Sequence, residues 1–264
     1  RSIKLVLLLH ISVLSFGQVN SRGFLGLKGE VKQLTEKQFK LQKVNGKLEK
    51  KLLLHSSVWS FNANGKLTSS SAWNNYTKDT LCFIYEYDST GFCMKIRNFK
   101  NSKLDGFVMY KNNGTGFTAS KTAYNADTLT LIKHRFEYNH KQRLKKGEVY
   151  DSDGEWLHTY KYKYDKEGNI LSEKFINDSG LKYSSGNSYN ESNLRIKTSY
   201  SPTGIVEELH YDLNGNVLQK HNSKNGLSSY VYDYDKRHNF TSKKEFKGEV
   251  RVPTFLTLRQ IDYF

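Results

Sequence analysis

Tyr162-Lys163-Tyr164-Asp165-Lys166-Glu167-Gly168-Asn169 recurs along the chain in recognisable copies. The clearest copies are Tyr85–Gly91, Val149–Gly154 and His210–Asn216, and degraded copies run from Trp59–Gly65 to Tyr232–Asn239. A tandem repeat indicates the architecture before any single residue can be interpreted.

The spacing of the glycine position sets the size of the repeat. This position, or its substitute, falls at Gln142, Gly154, Gly168, Gly180, Ser192, Gly204, Gly215, Gly226 and His238, in steps of 12, 14, 12, 12, 12, 11, 11 and 12 residues. Such a repeat holds one strand and one turn, with consecutive strands antiparallel. Subtracting a four-residue turn leaves strands of about eight residues, or about 26 Å.

The residues of the repeat suit a turn that follows a strand. The Asp165 carboxylate can accept a backbone N–H from two residues further on, as Asp does at the first position of a type I turn. Gly168 can take the left-handed conformation of a following bulge without steric cost. These turns connect the strands of a meander.

Ahead of the turn, aromatic and polar residues alternate. Tyr160, Tyr162 and Tyr164 share one face, and Lys161 and Lys163 share the other, which is the period of a strand with one buried face. The chain contains only two prolines, in keeping with many paired strands. The sequence therefore predicts an all-β fold, an antiparallel β-meander of hairpin repeats. We expect its long twisted sheet to curl into an open barrel or shell, which buries the apolar face.

The N-terminus has the pattern of a secretory signal peptide. Arg1 and Lys4 precede an apolar run from Leu5 to Leu14, and small residues follow up to Gln18. We interpret 1–18 as a signal peptide that lacks its first residues; a buried N-terminal strand or helix is the alternative. No cysteine follows for a lipid anchor, and we expect no transmembrane span in the mature chain.

The rest of the chain divides into three parts of one elongated domain. Residues 19–51 are lead-in strands, with a strand at Leu27–Leu34 and a hairpin from Phe39 to Lys51 around Asn45-Gly46. The repeat region covers 52–250 and is weakest at 68–130. Residues 251–264 alternate like a closing strand.

The two cysteines are predicted to be unpaired. With a turn at Asp88–Gly91, Cys93 would face Glu86, and Cys82 would lie about 13 Å away along the same face. A disulfide requires Cα atoms within about 7 Å, so a bond would need a different register.

No pattern in the sequence indicates catalysis, and we assign no catalytic, cofactor-binding or metal-binding residue. The eight histidines are scattered, without the paired spacing of a zinc site. Asp151-Ser152-Asp153-Gly154 and Asp212-Leu213-Asn214-Gly215 resemble fragments of a calcium loop, but the remaining ligands of such a loop are absent, and turn chemistry explains them. We expect a protein that is not an enzyme and has no cofactor.

The net charge of +15 favours an anionic partner. Export and the lack of an RNA- or DNA-binding motif argue against nucleic acid. An anionic polysaccharide or surface is the better candidate. Alternatively, the lysines only keep the sheet soluble and protect its edges.

The Tyr-x-Tyr-Asp-x-x-Gly-Asn copies at 162–169, 209–216 and 85–91 resemble the YD repeats of the RHS family. That resemblance implies spiralling β-sheets that build surface fibres or toxin-enclosing shells, some of which bind carbohydrate. The chain lacks the conserved core segment of the large RHS proteins and is too short to enclose a toxin. It is closer to small secreted bacterial proteins with RHS-like repeats, and its short hairpins are also similar to MORN-type repeats.

Two functions from different classes follow. The first is a non-catalytic protein, secreted, periplasmic or on the bacterial surface, whose aromatic and basic face binds an anionic glycan. The second is a structural or assembly partner that joins another envelope protein or an RHS-like complex through sheet edges or its aromatic face. No ligand-binding residue can be singled out at this stage.

Overall fold

A computed structural model describes residues 25–177, 180, 182–192, 194–201, 203–248 and 252–264. The interpreted signal peptide lies outside these residues. The described chain forms eighteen strands: β1 Val31–Val44, β2 Lys47–Phe61, β3 Leu67–Asn74, β4 Thr80–Tyr87, β5 Cys93–Lys100, β6 Lys103–Asn112, β7 Thr118–Asn125, β8 Thr130–Tyr138, β9 Leu144–Tyr150, β10 Trp156–Tyr164, β11 Ile170–Asn177, β12 Lys182–Tyr189, β13 Arg195–Ser201, β14 Val206–Tyr211, β15 Val217–Asn222, β16 Gly226–Tyr234, β17 Phe240–Lys247 and β18 Phe255–Tyr263.

Each strand pairs antiparallel with the strands before and after it in the chain. The last strand also pairs with the first, with Leu34 opposite Ile261 and Glu36 opposite Arg259. The ladder is therefore a closed ring, and the predicted all-β meander is confirmed. The sheet does not stay open, because β1 and β18 satisfy each other's free edges.

Side chains alternate between the inside and the outside of this barrel, as they must in any closed sheet. On β10, Tyr160, Tyr162 and Tyr164 lie half-buried on the inner face, whereas Lys161 and Lys163 are exposed on the outer face. The predicted separation of aromatic from basic residues is correct. At the start of the same strand, Trp156 is 37% exposed and donates a hydrogen bond to Thr159, so the outer face also carries one aromatic side chain.

The repeated Asp or Asn organises one end of the barrel. One Asp88 carboxylate oxygen accepts the backbone N–H groups of Thr90 and Phe92, at 2.9 and 2.8 Å. The Asn139 amide oxygen accepts the equivalent pair, at 2.9 and 3.0 Å. In the glycine position, Gln142 adopts φ 59°, a left-handed conformation in which a side chain is strained. The predicted turn geometry is thus present, even where the sequence motif has degraded.

The last tyrosine of five strands links neighbouring strands. Its hydroxyl donates a hydrogen bond to the carbonyl oxygen of the first residue in the preceding strand. These pairs are Tyr87 with Leu67, Tyr138 with Thr118, Tyr164 with Leu144, Tyr189 with Ile170 and Tyr211 with Arg195, at 2.6–3.0 Å. Because that first residue follows the previous turn, each tyrosine ties one hairpin to the hairpin before it.

The seam of the barrel contains its main apolar cluster. Leu27, Val31, Leu34, Phe61 and Leu67 are buried together where β1, β2 and β3 meet. The chain ahead of β1 is held there by the Asn239 side chain, which is 2% exposed and bonds the backbone of Lys28 on both sides.

The predicted lead-in differs from the structure in its bounds. Residues 27–30 precede the first strand. Val31–Leu34 and the expected hairpin at Phe39–Lys51 belong to one longer hairpin, in which β1 runs from Val31 to Val44. The turn at Asn45-Gly46 is where the sequence placed it, with both residues at positive φ. β1 pairs with β18 as far as Lys40 and with β2 as far as Val44, which local pattern alone does not reveal.

Cys82 and Cys93 are free thiols. The expected register is wrong by one residue, since Cys93 pairs with Tyr87 and a bulge shifts Glu86 to Lys95. Cys82 lies opposite Phe99, so the conclusion that the thiols are far from each other along the hairpin is unchanged.

Candidate functional site: a lysine–serine patch

A row of lysines crosses the outer face of the barrel. Lys161 on β10 is the direct register partner of Lys146 on β9 and of Lys174 on β11. Lys163, two residues along β10, lies opposite Ser172. Neighbouring strands are about 4.8 Å apart, so the three ammonium groups of the row can approach one anionic chain together.

The charges of this row are mostly uncompensated. Lys146 pairs with Glu148 at 2.6 Å, and the hydrogen bond to this carboxylate raises the pKa of Lys146. Lys161, Lys163 and Lys174 form no ion pair within the described part of the chain. Like charges directly opposite each other destabilise a sheet. Among the described residues, the row is therefore a positively charged strip on the outer face.

A shallow depression continues from the lysine row across β11, β12 and β13. Its volume is about 340 Å³, within the range of ligand sites. Two outward rows of small side chains form most of its floor: Ser172, Gly186 and Ser199 in one, and Lys174, Ser184 and Ser201 in the other.

Gly186 keeps the depression open. A Cβ atom at this position would lie 3.1 Å from the Ser199 Oγ atom and would occupy the centre of the floor. On the far side, Lys197 and Glu208 form an exposed ion pair at 3.0 Å. We call Lys161, Lys163, Lys174 and the serines around Gly186 the lysine–serine patch.

Hydroxyls and ammonium groups give this patch a defined chemistry. Serine hydroxyls both donate and accept hydrogen bonds, as sugar hydroxyls do, and lysines attract carboxylate or sulfate groups. The patch therefore combines hydrogen-bonding hydroxyls with positive charge.

The sequence pointed to this region only in part. The alternation of tyrosine with lysine on β10 placed Lys161 and Lys163 on the polar face, but no residue pattern showed that Lys146 and Lys174 would flank them. Register across three strands determines that contact.

The two calcium-loop fragments are turns in the structure. One Asp151 carboxylate oxygen accepts the N–H groups of Asp153 and Glu155, and Asp212 does the same for Asn214 and Asn216. Within the described ranges, no group of three or more His, Cys, Asp or Glu side chains could hold a metal ion. Among the same residues, no helix has the length and apolarity needed to cross a membrane.

No protein-family model and no curated protein matches the chain. Among solved structures, it is similar to a porin-like protein from Bacteroides uniformis, with a TM-score of 0.49 and 12% identity over 89% of this chain and 99% of that one. A porin-like protein from Bacteroides vulgatus has a TM-score of 0.33 and 12% identity over the same shares of the two chains. The TcdB2-TccC3-TEV structure has a TM-score of 0.31 and 12% identity over 83% of this chain and 15% of that one.

Proposed function

We propose that this is a non-catalytic repeat protein, secreted or held in the bacterial cell envelope, whose lysine–serine patch binds an anionic glycan. The observation that carries the proposal is the in-register row of Lys146, Lys161 and Lys174 beside a hydroxyl-lined depression. The resemblance of the repeats to YD repeats supports it, since some proteins of that kind bind carbohydrate.

The spacing of the row favours a polymer with a charge on successive sugars. The lysines repeat at about the distance between strands, roughly 4.8 Å. An extended chain of uronic acids carries a carboxylate on every residue and advances by a similar distance per sugar. Such a chain lying across the strands can meet one lysine per sugar, while its hydroxyls reach the serines.

The alternative, an assembly partner, has less support. Within the described residues, every strand is paired on both sides, so no sheet edge is free to join another chain. Many aromatic side chains of the repeats face inward, as Tyr160 and Tyr162 do on β10. Tyr150 is an exception, since it lies on the outer face under Arg135. The free sheet edges that this function would use are therefore absent from the described residues, and only scattered aromatic side chains are presented outside.

The test is binding to polygalacturonate, with neutral dextran as the matched polymer. We expect retention on polygalacturonate that declines as salt rises from 50 to 500 mM, a range that we choose because screening shortens the Debye length across it. Replacing Lys161, Lys163 and Lys174 with Gln should weaken binding about tenfold to a hundredfold, at about 0.5–1 kcal/mol per exposed charge.

The matched control replaces Lys37, Lys40 and Lys43 with Gln. These lysines are exposed on β1 and form no ion pair among the described residues, so this variant loses the same net charge. It should bind almost as well as the wild type. Equal loss in both variants would mean that net charge alone drives retention, and binding to dextran as well would remove the anionic-glycan proposal.

A further inference from the structure

Inside the barrel, three polar side chains form a row that is separate from the lysine–serine patch. Tyr110 on β6 and His134 on β8 are the register partners of Lys121 on β7. Lys121 is only 4% exposed, and it is the one residue of a charged type among the fully buried residues of the described chain. A buried lysine without a counter-charge is costly, so its position calls for an explanation.

None of these three side chains has a hydrogen-bond or ion-pair partner among the described residues. Other polar groups on the inner face do have one. His158 lies 2.9 Å from the Tyr160 hydroxyl, and the Tyr85 hydroxyl contacts Ser70 at 3.2 Å.

Within the described part of the chain, no fully inaccessible side-chain nitrogen or oxygen lacks a partner. The polar atoms of Tyr110, Lys121 and His134 must therefore keep some contact with open space inside the barrel. Register places Tyr110 and Lys121 directly opposite each other on adjacent strands, so the inner face carries an ammonium and a phenol donor at neighbouring positions.

The electrostatics of the row agree with this geometry. Desolvation lowers the pKa of Lys121 to about 7 and raises the pKa of Tyr110. Desolvation also lowers the pKa of His134 to about 2, with the charges of Lys121 and His158 contributing. Among the described residues, the side chains paired with Lys121 across the strands, Tyr110 and His134, are both neutral at pH 7.

We propose that Tyr110, Lys121 and His134 form an internal binding site for a small organic carboxylate. The ligand would supply the negative charge that the protein does not, accepting hydrogen bonds from the Lys121 ammonium and the Tyr110 hydroxyl. Two adjacent donors match the two oxygens of a carboxylate, and a hydrogen bond between ionised partners in a dry environment is strong.

The surroundings favour a carboxylate with an apolar body. Two residues further along the same three strands, Val108, Ala123 and Ile132 continue the inner face as direct register partners. Val108 and Ala123 are buried. An alkyl chain lying along this row stays out of water, whereas a polyhydroxylated acid would leave its hydroxyls unpaired.

The probe for this site is hexanoate, with hexanamide as the uncharged analogue, in calorimetric titration of the full chain. Hexanoate should bind at least about tenfold more tightly than hexanamide, the ratio expected from one charge-assisted contact. Lys121→Met keeps the length of the side chain and removes the charge, so it should fold and lose the preference for hexanoate. Lys133→Met changes an exposed lysine on β8 and should keep that preference.

The pH dependence supplies a test that needs no variant. The titratable groups around Lys121 are Tyr110 and His134 on the paired strands. Further away, Tyr85 on β4 and Cys93 on β5 act on Tyr110, and His158 on β10 acts on His134. Hexanoate is ionised from pH 6 to 8.5, but Lys121 loses its proton across that range, so binding should weaken as pH rises. Equal affinity for hexanamide, binding retained in Lys121→Met, binding that does not change with pH, or no binding of hexanoate would each overturn the proposal.

Discussion

Replacing Tyr164 with Phe tests the hydrogen bonds that tie successive hairpins together. The Tyr164 hydroxyl donates to the carbonyl oxygen of Leu144, at 2.7 Å, and Leu144 is 5% exposed. Arg143 lies over the same ring at 5.8 Å and bonds the carbonyl oxygen of Asp165 at 2.9 Å. The substitution removes one oxygen atom and leaves the ring and the Arg143 contacts in place.

The expected loss of unfolding free energy follows from the hydrogen bond that is removed and from the buried carbonyl oxygen that loses its donor. A protein hydrogen bond contributes about 0.5–1.5 kcal/mol, and an acceptor left without a partner costs about 1–3 kcal/mol. Because another donor or water can partly replace the hydroxyl at the end of the barrel, we expect a loss of about 1–2 kcal/mol. With an m value of about 3 kcal/mol/M, the urea midpoint should fall by roughly 0.5 M.

The assay is equilibrium urea unfolding followed by intrinsic fluorescence. Tyr76→Phe is the matched control, because Tyr76 is 78% exposed. The free energy of unfolding of Tyr76→Phe should stay within about 0.5 kcal/mol of the wild-type value. If Tyr164→Phe and Tyr76→Phe shift the midpoint equally, the hydroxyl bond does not stabilise the repeat, and burial of the ring alone explains why tyrosine recurs at this position of the repeat.

Three further predictions concern the turns and a thiol. Hydrogen bonds from Thr90 and Phe92 lower the pKa of Asp88 in the folded protein. The ionised carboxylate therefore stabilises the fold above the unfolded-state pKa of Asp88, and this stabilisation is lost as pH falls through the folded-state pKa. Asp88→Asn should make the free energy of unfolding in urea less sensitive to acid, and an unchanged pH dependence would contradict this. Gln142→Gly should stabilise the protein by about 0.5–1 kcal/mol, because Gln142 has a left-handed φ of 59° that glycine adopts without strain. The control Lys141→Gly should not stabilise it, and calorimetric Tm values compare the two variants. Burial raises the pKa of the Cys93 thiol to about 12, so iodoacetamide at pH 8 should alkylate Cys93 slowly until urea unfolds the chain. If Cys93 is labelled equally fast without urea, the thiol is accessible in the folded protein and the prediction is wrong.

The local features of the fold were predictable from residues close together in the chain. The alternation at Tyr160–Tyr164 identified a strand and its two faces, and the Asp165-x-x-Gly168 spacing identified the turn that follows. Both depend on backbone sterics and on hydrogen bonds within five residues, such as those from Gly168 and Asn169 to Asp165. Where the motif weakens, the same geometry persists with Asn139 and Gln142 in place of Asp and Gly.

The register of neighbouring strands was predicted less well. The bulge after Tyr87 shifted the partner of Glu86, and the same shift occurs at Tyr164 and Tyr211. One extra residue on one strand shifts every later pair of the hairpin by one position. The sequence therefore predicted the separation of Cys82 and Cys93 along the hairpin, but not their exact partners.

The sequence by itself determined the strands, the turns and which side chains share a face, because these depend on contacts between near neighbours. Only the tertiary structure decided that the ring closes, since the pairing of Glu36 with Arg259 joins residues 223 positions apart. Closure in turn decided which face became the inside. It places Lys121 in the interior beside Tyr110 and His134, and it leaves Lys161 and Lys174 outside, side by side across the strands. Period two distributes residues between two faces, but only the curvature of the whole sheet assigns one face to the interior.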